Sequence, residues 1–179
     1  MKRIFALVCI CLVSASLAIA GGPEKKSAST GAAAEKDPMA DMMSCKICKA
    51  MAPNMATFAP VMSSEVVKME NGMAIIHHIS DPKVVPTFQA TCAEMSAAGK
   101  ACTAMTEAEW KAALCDHCEQ IMGLVQSGAS IGTGNTKDGS MLVLTSTDPA
   151  TQTKIAGFEM QCEQMMSAMA QSKGQSKGM

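Results

Sequence analysis

The chain predicts an α+β protein in which two pseudo-equivalent αββα repeats form one antiparallel sheet packed against helices. Three observations predict it. First, a cysteine pattern occurs twice with the same spacing. Cys45-Lys46-Ile47-Cys48 is followed 44 residues later by Cys92, and Cys115-Asp116-His117-Cys118 is followed 44 residues later by Cys162. The copies are offset by 70 residues, and Phe88 and Met95 flank Cys92 as Phe158 and Met165 flank Cys162. Second, Asn71-Gly72 and Asp138-Gly139 are favoured hairpin dipeptides, each followed by an apolar strand. Third, each of those strands reaches an Asp-Pro pair, Asp81-Pro82 or Asp148-Pro149, that opens a helix with one apolar face.

Taken in order, residues 1–20 read as a signal peptide. Lys2 and Arg3 give the positive start, Ile4 to Leu17 the apolar run, and Ala18-Ile19-Ala20 the small-residue cleavage pattern. The mature protein is therefore expected to be secreted or periplasmic, with no membrane attachment after cleavage. Residues 21–37 read as a flexible linker, 38–170 as a single domain, and 171–179 as a flexible tail. Repeat 1 runs from about 38 to 98 and repeat 2 from about 106 to 170. In repeat 1, Asp37-Pro38 starts a helix that carries Cys45 and Cys48 and stops near Pro53. In repeat 2, Thr106-Glu107-Ala108-Glu109 is a capping box. The helix it opens is expected to run unbroken through Trp110, Cys115, Cys118 and Val125 to Gly128. The closing helices carry Val85, Phe88, Cys92, Met95 and, in the second copy, Ile155, Phe158, Cys162, Met165 on one face.

The strand-(Ser/Thr)-Asp-Pro-helix stretches Ile75 to Met95 and Leu142 to Met165 resemble a pattern in uncharacterised secreted bacterial proteins. There a Gly-Val-rich strand runs into Ser-Asp-Asp-Pro and then an amphipathic helix. The resemblance covers about a third of the chain, which differs in having one acid before the proline and cysteines on its helices. It implies the repeat architecture and carries no activity.

Composition narrows the functional classes. Past the signal there are 13 Lys, no Arg and 16 acids, a net charge of −3. With no Tyr and one Trp, the Lys/Arg clusters and stacking aromatics of a nucleic-acid binder are missing. No carboxylate pair reads as acid/base machinery and no serine sits in a nucleophile elbow, so no enzyme is expected. Gly132-Thr133-Gly134-Asn135 lacks the third glycine of a dinucleotide fingerprint. Neither CxxC is followed by His, which excludes c-type haem attachment.

The thiols remain. Seven cysteines follow the signal, three per repeat plus Cys102, alongside 17 methionines. An odd count in an oxidising compartment leaves at least one thiol free, metal-bound or shared between chains, and Cys102 is the candidate to link a dimer. Soft sulfur donors point to Cu(I) or Zn(II). The expected sites are local to each repeat: Cys45, Cys48 and Cys92 with His77 or Met95, and Cys115, Cys118 and Cys162 with Met165 or His117. A zinc ribbon joining the two CxxC pairs is disfavoured, because 66 residues separate them where about 15–20 are usual. A dithiol oxidoreductase is disfavoured because Cys115 falls mid-helix in this reading, away from the terminal dipole. The competing reading is a disulfide-stabilised scaffold or interaction module without metal. In it, one sulfur of each CxxC pairs with Cys92 or Cys162, or the six thiols simply line a Met-rich core.

Overall fold

The computed structural model describes residues 38–175; the signal peptide and linker read from the sequence lie outside the described residues. Six α-helices and four strands follow the order α1 (Pro38–Ser44), α2 (Met55–Phe58), β1 (Met62–Met69), β2 (Gly72–Ile79), α3 (Val85–Cys102), α4 (Glu107–Ala113), α5 (Asp116–Gln126), β3 (Ser130–Asn135), β4 (Gly139–Thr145) and α6 (Pro149–Gln175). Two 3-10 turns, Cys48–Ala50 and Ala52–Asn54, lie between α1 and α2. The fold is α+β, as expected. Its one sheet is antiparallel throughout, in the order β1-β2-β4-β3.

Each hairpin forms where its turn dipeptide stands. Met69 pairs with Gly72 across a two-residue loop, and Asn135 pairs with Ser140 across a longer one. The hairpins join through their second strands, β2 against β4, with Ile75 opposite Leu142 and His77 opposite Ser140. Alternation along β2 sends Met73, Ile75, His77 and Ile79 to the helical side. Met73, Ile75 and Leu144 meet Leu124 of α5 and Ile155, Phe158 and Cys162 of α6. Ile79 meets Phe58 of α2 and Phe88 of α3, whose rings pack edge to face at 5.2 Å. On the opposite side of the sheet, Val67 and Met141 remain 38% exposed. Among the described residues, no helix is long and apolar enough to cross a membrane.

Gly72 and Gly139 occupy matched places at the ends of the β2–β4 pair, facing Thr145 and His78. A Cβ on Gly72 would run into the Leu144 carbonyl, and one on Gly139 into the His77 carbonyl. Glycine is required there because backbone approaches backbone.

Several elements differ from expectation. The first helix stops at Ser44, so Cys45 and Cys48 lie in a turn and a 3-10 segment. The long helix of the second half breaks in two. Its capping box is present, with Thr106 and Glu109 bonded reciprocally. Leu114 (φ −117°, ψ 151°) and Cys115 (φ −74°, ψ 160°) are then extended, and a new helix starts at Asp116. The break is stabilised from outside the helix: the Ala113 carbonyl accepts the Lys46 N–H at 2.8 Å, and the indole of buried Trp110 donates to the Cys102 carbonyl at 2.9 Å. Asp148 caps α6 by accepting from the Thr151 N–H at 2.8 Å, whereas Asp81 forms a turn and α3 waits until Val85. Helix α6 continues to Gln175, through part of the expected tail. Cys102 is fully buried, so it offers no surface thiol for a dimer bond.

The close approach at the central pair gives a direct test. Gly72→Ala or Gly139→Ala should lower unfolding free energy by about 2 kcal/mol or more in urea titration, through backbone overlap. Gly132→Ala, on edge strand β3 with open space around it, should stay within about 0.5 kcal/mol of the parent.

Candidate metal centre

The two CxxC segments meet. The sulfurs of Cys45, Cys48, Cys115 and Cys118 all lie within 4.8 Å of one another. Cys48 Sγ is 3.3 Å from Cys118 Sγ and 3.8 Å from Cys115 Sγ. A disulfide needs about 2.05 Å, and all seven cysteines of the described residues are free thiols. Four thiolates bound tetrahedrally at about 2.3 Å from a zinc ion would stand about 3.8 Å apart. The observed cluster is already close to that size.

Local structure explains how each sulfur arrives. Both CxxC segments follow a seven-residue helix, α1 or α4. In the first, the helix ends and the Lys49 N–H turns back to the Cys45 carbonyl at 3.0 Å. The Cys48 N–H then points at Cys45 Sγ, 3.5 Å away. In the second, the extended pair Leu114-Cys115 leaves Cys115 as the N-cap of α5, with Cys118 in the first turn. The hydrogen bond from Lys46 to Ala113 lays the first segment across the second. Trp110, Leu114, Met122 and Cys102 surround the group, with Ile47 and Met105 packed against it. Cys48 is the half-buried member; Cys45, Cys115 and Cys118 are buried.

The thiols of Cys48, Cys115 and Cys118 lie too close to titrate independently. Hydrogen bonds from the Cys118 and Cys48 thiols hold Cys115 far below the usual thiol range. Cys48 and Cys118, as donors to Cys115, are pushed above it. The cluster favours thiolate character at Cys115, and a divalent cation that displaces the remaining thiol protons offsets two of the four thiolate charges.

The other expected ligands go elsewhere. Cys92, half-buried on α3, accepts a hydrogen bond from Ser140 Oγ at 3.2 Å, and burial raises its pKa. Cys162, on α6, lies in the sheet-facing core, and burial pushes it up to about 11. His77 sits under α3, its Nδ1 2.7 Å from Ser64 Oγ and its ring against Phe88. His117 stacks on Phe158 at 5.2 Å. Met95 is half-buried on α3, and Met165 is 41% exposed on α6. The two local three-thiol sites therefore do not form, and the pairs pool into one site. The spacing between the pairs argued against this in the sequence, because it counted residues along the chain and the fold brings the segments together regardless. Asp116 and Glu119 were the available signal, since acids mark the first turn of a helix beginning just after Cys115.

His78 lies between Glu65 at 3.3 Å and Asp138 at 3.2 Å, and both carboxylates raise its pKa. Burial lowers that of His77 below 6.5. Below pH 6.5 the unfolded chain takes up a proton that folded His77 resists, so this residue makes stability fall as pH drops, and it contributes nothing above. His77→Gln should therefore lose less stability between pH 7 and 5 than the parent, measured by urea unfolding at each pH. His78 and His117 titrate in both proteins and differ between them only through their coulombic coupling to His77. No family model, curated protein or solved structure matches this chain.

Proposed function

We propose that this is a secreted or periplasmic, non-catalytic protein that binds one soft metal ion through Cys45, Cys48, Cys115 and Cys118. The observation that carries the reading is the convergence of these four sulfurs within 4.8 Å. Four thiolates fill a tetrahedral shell and leave no position for substrate, as in structural zinc sites. That favours Zn(II). Cu(I) and Fe(II) also accept sulfur, but a closed set of four thiolates suits the tetrahedral preference of Zn(II) best.

We further propose that the two halves descend from one αββα unit. Each contributes one CxxC to the centre at an offset of 70 residues. Each also places its turn glycine against the inner strand of the other. On this reading the centre exists only once the unit is doubled, since one CxxC supplies half a shell.

Elemental analysis of the purified protein should find one zinc per chain. Serine substitution at Cys45, Cys48, Cys115 or Cys118 should each lower bound zinc to well under half an equivalent. Cys92→Ser and Cys162→Ser should retain it. Retention by all four of the first set, or loss in Cys92→Ser alone, would sink the assignment.

A further inference from the structure

Residues 38–50 meet the rest of the molecule at the C-terminal half of α3 and at the α4–α5 corner. Among the described residues, the backbone bond that ties this segment to α4 is the one from Lys46 N–H to the Ala113 carbonyl. Its other attachments include Cys45, Ile47 and Cys48 in the cluster around Trp110, the 3-10 turn Cys48–Ala50 against α3, and a contact of Lys46 Nζ to Met105 Sδ at 4.0 Å. The chain just beyond is anchored separately. Phe58 is fully buried against Phe88, and the Val61 carbonyl accepts the Ser80 N–H at 2.9 Å. The cores built on the sheet, one with α5 and α6 and one with α2 and α3, contain none of the four clustered cysteines.

Resting on the metal-binding reading, we infer that residues 38–50 form a latch locked by the ion. Two of the four ligands come from the latch, and two from the α4–α5 corner it covers. With the ion bound, the latch is shut over Trp110 and Cys102. Without it, one backbone hydrogen bond, the weak thiol contacts of Cys48 with Cys115 and Cys118, and the packing of Ile47 and the 3-10 turn against α3 and Trp110 must offset the conformational entropy of the whole segment. The latch then opens while the sheet with α3 and α6 stays folded, as a local rather than global unfolding event. The metal state is thereby converted into exposure of an apolar corner that holds a thiol.

The chain carries its own reporters. Trp110 is the one tryptophan, 2% exposed, and Cys102 is fully buried beside it. Lys46 and Lys49, exposed on the latch, are trypsin sites. Purified protein loaded with zinc is compared with the same protein after chelation. The chelated form should show red-shifted Trp110 emission and alkylation of Cys102. Cleavage after Lys46 and Lys49 should be at least about tenfold faster, while amide protection in β2 and β4 is unchanged. The Cys45→Ser, Cys48→Ser double variant should behave like the chelated protein even with zinc added. If zinc binds stoichiometrically but chelation changes neither Trp110 nor cleavage, the latch is refuted and the metal centre stands. Loss of protection in β2 and β4 on chelation would also overturn it, because the ion would then hold the whole fold. If no zinc binds, the metal reading fails and the latch falls with it.

Discussion

Crowding of ionisable sulfur is the constraint around which the corner of this molecule is organised. Four thiols in one small volume cannot each carry a charge, and burial makes even one charge costly unless it is shared or matched by a cation. Every unusual local feature nearby serves to bring those sulfurs together. The first helix ends before Cys45, α4 ends early at Ala113, and two extended residues turn the chain before α5. The stop of α4 does not follow from propensity, since Ala112, Ala113 and Leu114 would readily continue a helix. The Lys46 to Ala113 bond takes the carbonyl freed at the break.

Cysteine does two different jobs here, separated by backbone setting. Those at a helix start or a turn point at each other and are electrostatically coupled. Cys92 and Cys162, in the bodies of α3 and α6, point at the sheet and act as small apolar fillers, with thiols held protonated by burial. The few aromatics are distributed in the same economical way. Phe158, Trp110 and the pair Phe58–Phe88 each centre one of three separate clusters, while Met and Cys fill the spaces between.

Much of this architecture was legible from residues alone. The turn dipeptides gave both hairpins, the Thr106 capping box gave the start of α4, and Asp148-Pro149 gave the start of α6. What misled was helical periodicity. A run such as Trp110, Leu114, Cys115, Cys118 keeps helical spacing whether or not the helix is continuous, because a break of two extended residues alters direction without altering composition. Grouping the thiols by repeat followed from that error. With Cys45, Cys48, Cys115 and Cys118 drawn mid-helix, each pair faced the closing helix of its own half. The bond that undoes this grouping, from Lys46 to Ala113, joins backbone atoms and leaves no trace in side-chain pattern.

The paired glycines at the centre of the sheet have a consequence for alignment. Sliding β2 past β4 by one residue would bring Asn71 or Met73 to the place where only Gly72 fits, and would bring a side chain against the His77 carbonyl at the other end. The same slip would turn Met73 and Ile75 away from the helices. The hairpins are therefore keyed at both ends of their joint, and they can dock in one registration only. The thiols, carried on segments that flank those hairpins, inherit their relative positions from that key.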